Sequence, residues 1–175
     1  KLYYILSQAY CNMSKIATAS KTSITWSEQA GMWEVIAAFG KKVIDNVSFD
    51  GIISTGVMLQ NLRTSSLDND LNLTRDGYHM DNGLSRYAAS CTVFESIITP
   101  KFNVTLDGNT YRYATSNTTE GSYTTPVTDE NAPIAIQAAR YAIQSPYVVT
   151  DMSNYKATVP DNSIADVEYE EGNKE

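Results

Sequence analysis

The chain has 175 residues, of which 42% are hydrophobic and 19% are charged, and its formal net charge is -7. This length suits one globular domain, because folding a chain of this size buries roughly 70% of the surface of the unfolded chain. No apolar run approaches the roughly 20 residues that cross a bilayer, and no basic stripe is available for phosphate groups. The sequence therefore predicts neither a membrane span nor a nucleic-acid partner.

The cysteines and the single histidine limit the metal chemistry of the chain. Cys11 and Cys91 lie far apart and form no Cys-x-x-Cys pair, so we predict two free thiols that pack in the core. A zinc site would need these cysteines or carboxylates to complete it. We therefore expect no metal centre and no cofactor.

The first 62 residues predict strands that alternate with helices. Residues 2–6 form an apolar run that is typical of a buried strand, and residues 11–25 predict a loop with a short helix. From Trp26 to Ile44, apolar residues recur at steps of three and four, which predicts an amphipathic helix of about 20 residues. A turn at Asp50-Gly51 then leads to a second strand closed by Gly56, followed by a short helix over residues 57–62.

The middle of the chain predicts a polar loop and a second long helix. The loop covers residues 63–79, and the helix carries apolar residues on one face from Leu84 to Ile98. Asp81 is placed to cap this helix, and Pro100 is expected to end it. This order of strands and helices predicts an α/β fold with a parallel sheet.

The last third of the chain changes in composition. Residues 101–127 are rich in Asn, Thr, Gly and Tyr, and they predict either a small hairpin around Asp107-Gly108 or a long surface loop. A final helix is expected from Asp129 to Gln144, capped by Thr128 or Asp129, with a face of alanines. We expect a domain over residues 1–150 and a polar, acidic tail over residues 151–175.

Two strands cannot complete a parallel sheet, and the chain opens directly on a buried strand. We therefore expect the N-terminal strands of the sheet to lie upstream of Lys1 or in a partner chain. The domain that the chain forms would then be the C-terminal part of a larger α/β unit.

The segment from Arg75 to His79 is the strongest candidate for chemistry. It contains the single histidine, which is the side chain that titrates nearest neutrality. Asp76 lies three residues earlier, across Gly77, and can fold back so that its carboxylate meets Nδ1 of the imidazole. Nε2 would then be free to act as a base toward a hydroxyl nucleophile. The alternative is that His79 is a surface or capping residue beside the start of a helix.

Three blocks around this segment resemble a known family. They are the Thr-Gly-Val-Met-Leu-Gln-Asn-Leu-Arg-Thr-Ser block at residues 55–65, the Leu-Thr-Arg-Asp-Gly-Tyr-His block at 73–79 and the Gly-Leu-Ser-Arg-Tyr block from 83. Together with Ala-Ala-Arg-Tyr-Ala-Ile-Gln-Ser-Pro-Tyr at 138–147, they resemble the C-terminal half of an SGNH (GDSL-like) hydrolase. The likeness is to a poorly characterised bacterial branch of that superfamily, and it covers roughly residues 2–150.

The resemblance implies a three-layer α/β/α fold, flavodoxin-like in outline, and a Ser, Asp and His site that hydrolyses esters, often acetyl groups on carbohydrate. By this likeness Asp76 is the orienting acid and His79 is the general base. The Gly-Asp-Ser or Gly-Asn-Ser block that carries the nucleophile in the superfamily is not found in this sequence. The resemblance therefore implies that the chain supplies only the acid and base half of the site.

Polar residues ahead of this motif have two interpretations. Asn61 and Arg63 could line a substrate groove and meet a sugar hydroxyl or carboxylate, or they could hold the loop through backbone hydrogen bonds. Arg75 is expected to pair with a nearby acid and to tether the loop. Trp26 and Trp33 lie seven residues apart on one helix face and are expected in the core.

Two functions of different classes follow. The first is an SGNH-type serine esterase acting on an ester or acetylated glycan, to which this chain contributes Asp76 and His79. The alternative is a non-catalytic hydrolase-like module for glycan binding or assembly, which the missing nucleophile and the Tyr-, Asn- and Thr-rich residues 101–127 favour. The resemblance also implies a secreted or periplasmic location in a bacterial envelope.

Overall fold

The computed structural model describes residues 1–12, 29–69, 71–119 and 122–156, and within them the chain is an α/β structure with a two-stranded parallel sheet. Residues 13–25 of the predicted loop and short helix, Trp26 and most of the predicted acidic tail lie outside the described residues. In chain order the elements are β1 (Tyr3–Ile5), α1 (Gln29–Asn46), β2 (Gly51–Ile53), α2 (Thr55–Thr64), α3 (Leu84–Val93), a π-helical turn (Phe94–Ile98), α4 (Thr99–Phe102) and α5 (Ala132–Gln144).

The two strands pair in parallel, which confirms the predicted arrangement. Tyr3 lies opposite Gly51 and Ile5 lies opposite Ile53. The ladder continues one residue further, because the Leu6 amide donates a hydrogen bond to the Ile53 carbonyl over 3.0 Å. Parallel neighbours need a crossover connection, and α1 lies between the two strands in the sequence.

Helix α2 begins directly after β2, so the prediction that Gly56 closes the second strand is wrong. Gly56 lies in the first turn of α2, where its amide donates a hydrogen bond of 2.8 Å to the Leu6 carbonyl. A Cβ at this position would collide with the Ser7 carbonyl oxygen and would lie 2.7 Å from the ring of Trp33. Glycine is therefore needed because the start of α2 packs directly against the backbone that follows β1. Trp33 is buried, which confirms its predicted place in the core.

Pro100 does not end the second long helix, contrary to the prediction. After α3 the backbone widens into the π-helical turn, where the Thr99 amide bonds to the Phe94 carbonyl five residues earlier. Pro100 then lies in the first turn of α4, a position where a missing amide hydrogen is tolerated. The helix ends only at Asn103, which adopts the left-handed conformation with φ of 53°.

The core lies between α2, α3 and α5. The alanine face of α5 is fully buried, as predicted, and α5 begins at Ala132 rather than at Asp129. Thr128 and Asn131 exchange hydrogen bonds at its start: the Thr128 amide donates to Asn131 Oδ1 and the Asn131 amide donates to Thr128 Oγ1. Cys11 and Cys91 are buried thiols and not a disulfide.

Residues 101–127 are mostly irregular, which agrees with the surface-loop alternative. A turn is present at Gly108, with φ of 77°, but the described residues around it form no paired strands. An isolated antiparallel bridge joins Asn117 to Thr124. Packing also continues past residue 150, where the sequence places the start of a tail. Met152 is buried, and its amide donates a hydrogen bond of 2.8 Å to Thr64 Oγ1.

Among the helices that the structure describes, none combines the length and the apolar character that a membrane crossing requires.

The contact at Gly56 leads to a stability prediction. Gly56→Ala should destabilise the chain by about 2–3 kcal/mol, because the added methyl meets backbone that cannot rotate away. Gly108→Ala is the control: its site is open, so it should cost only about 1 kcal/mol through its positive φ. Urea unfolding followed by circular dichroism measures both. Equal destabilisation by the two variants would contradict the proposed packing.

Candidate functional site

The candidate site is built on a tight loop of residues 74–80, here called the Asp-His loop. An antiparallel bridge between Thr74 and Met80 closes it, and the Arg75 amide donates a 2.9 Å hydrogen bond to the His79 carbonyl. The chain reverses at Gly77, whose φ of 89° is costly for other residues. The Gly77 amide donates to Thr74 Oγ1 over 2.9 Å. The loop thus brings residues 76 and 79 onto the same side.

The predicted contact between Asp76 and His79 is present in the structure. Asp76 Oδ2 lies 2.6 Å from His79 Nδ1. The other carboxylate oxygen, Oδ1, accepts hydrogen bonds from the backbone amides of Tyr78 and His79, at 2.9 and 2.8 Å. Both oxygens are therefore held, and the carboxylate cannot rotate without losing these bonds.

The surroundings of Asp76 favour its ionised form. Partial burial raises the pKa of this carboxyl, but the hydrogen bonds from the His79 backbone, the His79 side chain and the Tyr78 backbone outweigh it, and the pKa falls below its usual value. An ionised carboxylate only accepts hydrogen bonds, so a neutral imidazole must carry its proton on Nδ1. Nε2 then presents a lone pair.

The free side of the imidazole is accessible. The side chain of His79 is 63% exposed, while that of Asp76 is 26% exposed. Within the residues that the structure describes, the ring is bonded through Nδ1, and no hydrogen bond to Nε2 is found. The arrangement can therefore accept a proton at Nε2 from a group that approaches from outside the described chain.

The Asp-His loop is docked on residues 7–12, the segment that follows β1. The Cys11 amide donates a hydrogen bond of 2.8 Å to the Gly77 carbonyl, and Gln8 Nε2 donates one of 3.3 Å to the Tyr78 carbonyl. The rings of Tyr10 and Tyr78 meet edge to face with centroids 4.8 Å apart. The loop therefore lies at the carboxyl end of β1, which is the end of a parallel sheet where α/β proteins bind ligands.

These contacts from residues 7–12 were not predicted from the sequence. They join positions about 70 residues apart, as in the Gln8 to Tyr78 bond, and backbone amides carry part of the interaction. One signal was available: the segment directly follows a predicted parallel strand, and such segments commonly approach the site.

Arg75 pairs with the acid next to it in sequence. Its Nε lies 3.8 Å from Asp76 Oδ2, and this buried nitrogen has no hydrogen-bond partner in the described part of the chain. The guanidinium adds positive potential beside the carboxylate.

Asn61 lies in the core and does not line a groove. It is fully buried; its Nδ2 donates to the Ala138 carbonyl over 3.1 Å, and its Oδ1 accepts from the Thr150 amide over 2.7 Å. Both ends of the amide are therefore used to join α2 to α5 and to the segment after it. Asn61 therefore bonds to backbone, as in the second interpretation, but it holds α5 and Thr150 and not the loop.

Arg63 also bonds to backbone. Both terminal nitrogens donate to the Ala9 carbonyl at 3.1 Å, and Nε donates to the Asn72 carbonyl at 2.9 Å. Burial lowers the pKa of this guanidinium to about 10. Nη1 also donates to Gln60 Oε1 over 2.7 Å, so four of the five N–H donors of Arg63 are bonded to the protein. Since Ala9 belongs to the segment that carries the Asp-His loop, these bonds support the site from the interior.

Asp81 links the loop to helix α3. It is fully buried, and its carboxylate accepts hydrogen bonds from the Gly83 amide at 2.7 Å and from the Ser85 hydroxyl at 2.9 Å. Burial raises its pKa, and these hydrogen bonds only partly oppose the effect. Gly83 and not Asp81 occupies the N-cap position, so the prediction that Asp81 caps the helix is wrong. Asp81 lies just before the helix and holds its start through Gly83 and Ser85.

No group of three potential metal ligands among His, Cys, Asp and Glu is found in the described ranges. The residues brought together at the site are thus an acid, an imidazole and the backbone that positions them.

The fold and the site together define the class of protein. It is an α/β domain with parallel strands that carries an Asp-His pair at the carboxyl end of a strand. The chain belongs to the DUF4886 family, described as a domain of unknown function, whose model matches residues 1–129. This range includes the strands, α1 to α4 and the Asp-His loop.

One solved structure is similar across most of the chain. It is a crystal structure of a DUF4886 family protein from Bacteroides uniformis ATCC 8492 at 1.50 Å resolution. The sequences are 28% identical, the TM-score is 0.64, and the match covers 86% of this chain and 50% of that one. The chain therefore spans about half the length of this relative. No curated protein matches the sequence.

A variant of Asn61 tests whether this residue has a structural role or a role in substrate binding. Asn61→Ala should destabilise the chain by about 2–3 kcal/mol, because it leaves a buried carbonyl and a buried amide without a partner. The control is Asn46→Ala, which removes one exposed bond to the Lys42 carbonyl and should cost under about 1 kcal/mol. Urea unfolding measures both. An Asn61→Ala chain as stable as the control would contradict a structural role.

The lowered pKa of Asp76 predicts a pH dependence. A depressed carboxyl pKa contributes stability that is present above the unfolded value, near 3.9, and is lost as pH falls through the folded value. The stability difference between the parent chain and Asp76→Asn should therefore be present above about pH 4 and shrink as the pH falls below it. Urea unfolding at a series of pH values measures it. A difference that does not change with pH would contradict the assigned carboxylate contacts.

Proposed function

We propose that the chain is the acid and base half of an SGNH-type ester hydrolase. The observation that carries this proposal is the 2.6 Å contact between Asp76 Oδ2 and His79 Nδ1, on an exposed loop at the carboxyl end of a parallel strand. The similarity of the three sequence blocks to that superfamily supports it. The proposed substrate is an ester, with acetyl groups on carbohydrate as the favoured class.

The geometry of the two residues supports the following proposed roles. His79 Nε2 takes the proton from a serine hydroxyl as that oxygen attacks the ester carbonyl, and the imidazolium that forms is stabilised by the ionised Asp76. The same proton then passes to the departing alkoxide as the ester C–O bond breaks. A water molecule, activated by the same imidazole, hydrolyses the acyl-enzyme and restores the serine.

The nucleophile and the oxyanion donors are proposed to come from a segment outside this chain. Exposed apolar side chains on β1 and α1 support this assignment, because Ile5 is 61% and Phe39 is 64% exposed. Additional strands and helices packed over these side chains would cover them and extend the two-stranded sheet into the three-layer α/β/α arrangement. An upstream segment, as the greater length of the solved relative allows, or a partner chain can supply this half.

We also propose a location in the bacterial envelope or outside the cell. The superfamily that the chain resembles often acts on acetylated carbohydrate polymers, which are found there.

The proposal is tested with the 175-residue chain and with a form extended upstream to the length of the solved relative. The extended form should hydrolyse p-nitrophenyl acetate and become labelled by a fluorophosphonate probe, because it would contain the serine. His79→Ala should lower kcat/KM by about 10³-fold or more, and Asp76→Asn by a similar or somewhat smaller factor.

The matched control is Asp129→Asn, which changes an exposed carboxylate paired with Arg112. It should leave kcat/KM within about twofold, because a surface ion pair contributes little. A fully active His79→Ala enzyme would contradict the assigned base. If neither form reacts although both unfold cooperatively, the non-catalytic module becomes the better description.

A further inference from the structure

A cleft lies along helix α3, which follows the Asp-His loop in the sequence. It has a volume of about 350 Å³ and is bounded by one face of α3 and by residues 106–113. Two of its lining residues, Asn82 and Gly83, follow His79 in the sequence by three and four residues. The volume falls in the range of small-molecule sites.

The walls of the cleft combine aromatic rings with hydrogen-bonding groups. Phe94, Tyr111 and Tyr113 contribute ring surface, and Asn82, Asn109 and Ser90 contribute polar groups. The Asn109 amide already bonds to the Tyr87 hydroxyl and the Tyr111 amide, and the Ser90 hydroxyl donates to the Arg86 carbonyl. A side-chain amide has two donors and two acceptor lone pairs, so Asn109 keeps one of each for a ligand, and the Ser90 oxygen can still accept a hydrogen bond. A pyranose ring suits both, because its C–H face packs on aromatic rings while its hydroxyls bond to amide groups.

The aromatic wall is fixed in place. Tyr87 and Tyr111 stack with their planes 19° apart and their centroids 6.3 Å apart. Asn109 Nδ2 donates a hydrogen bond of 3.0 Å to the Tyr87 hydroxyl, and Asn109 Oδ1 accepts one of 3.0 Å from the Tyr111 amide. Residues 106–113 are thus held against α3, so the cleft is formed before any ligand arrives.

Arg86 gives the cleft a charge preference. The other arginines each meet an oxygen of the protein: Arg63 bonds to carbonyls, and Arg75, Arg112 and Arg140 pair with carboxylates. Arg86 lines the cleft, is exposed, and its guanidinium has no such partner within the described ranges of the chain. A guanidinium presents donors that match a carboxylate in two-pronged geometry.

We propose that this cleft binds a pyranose ring that carries a carboxylate, such as a uronic acid unit of a glycan. The ring packs on Tyr111 and its neighbours, the hydroxyls bond to the asparagine amides, and the carboxylate pairs with Arg86. That this sugar unit lies next to the ester that is hydrolysed rests on the proposed function. Binding of the sugar alone does not require hydrolysis.

The test is a titration of the ¹⁵N-labelled 175-residue chain with methyl β-D-glucuronide, methyl β-D-glucopyranoside and benzoate. The glucuronide should shift the amide signals of Arg86, Asn109 and Tyr111. It should bind about tenfold more tightly than the neutral glucoside, because a charge-assisted pair is worth about this factor.

Variants locate the two interactions. Arg86→Gln should weaken glucuronide binding about tenfold and leave glucoside binding unchanged. Tyr111→Ala should weaken both about fivefold through loss of ring contact. The matched controls are Lys42→Gln, an exposed cation on α1, and Phe102→Ala, an aromatic that is 58% exposed where Tyr111 is 59% exposed. Both controls should bind as the parent chain does.

Equal affinity for the glucuronide and the glucoside, no response to Arg86→Gln, or shifts confined to another surface would overturn the proposal. Tightest binding of benzoate would assign the cleft to aromatic acids and overturn the sugar class. These titrations involve no hydrolysis, so a negative result would contradict the binding proposal without contradicting the proposed function. The proposed function is tested separately by the activity of His79→Ala.

Discussion

The close approach between the end of β1 and the start of α2 determines where the rest of the site lies. The Leu6 carbonyl accepts hydrogen bonds from the Gly56 amide at 2.8 Å and from Thr55 Oγ1 at 3.2 Å. This contact directs residues 7–12 across the carboxyl end of the strands, and Arg63 then fixes their Ala9 carbonyl. The Asp-His loop is bound to this segment, so its position depends on one helix start that only glycine allows.

Two kinds of polar residue surround the site, and the structure separates them. Asn61, Arg63 and Asp81 bond to backbone or to a neighbouring hydroxyl in the interior and hold elements together. His79 is exposed and held by one nitrogen, so it is available for proton transfer. Rigid support below a reactive group is what keeps such a group in a productive geometry.

Much of the fold follows from local sequence pattern. The helix before Asn46 and the alanine face of α5 were predicted because hydrophobic periodicity reports which side of an element is buried. The strand within residues 2–6 was also predicted, but its burial was not correct, since Leu2 is 55% and Ile5 is 61% exposed. The errors at Gly56 and Pro100 have a different origin. Gly56 is explained by a tertiary contact with Ser7, and Pro100 is accommodated by a π-helical turn that no local preference announces.

The site residues also divide into those that local sequence predicts and those that depend on tertiary contacts. The Asp76 to His79 contact spans three residues across a glycine, so sequence spacing alone suggests it. The contacts of Asn61 with Ala138 and Thr150 span 77 and 89 residues, so the sequence leaves a substrate role and a structural role equally open. Burial decides between them, and burial of a polar residue depends on the whole fold.

The central claim is that Asp76 fixes the imidazole with its proton on Nδ1 and its lone pair on Nε2. Because the chain has one histidine, a long-range ¹H–¹⁵N spectrum shows a single imidazole and reports its tautomer directly. At a pH where the ring is neutral, we predict the Nδ1–H tautomer in the parent chain and a shift toward the Nε2–H form in Asp76→Asn. A predominantly Nε2–H imidazole in the parent chain, unchanged in Asp76→Asn, would contradict the claim.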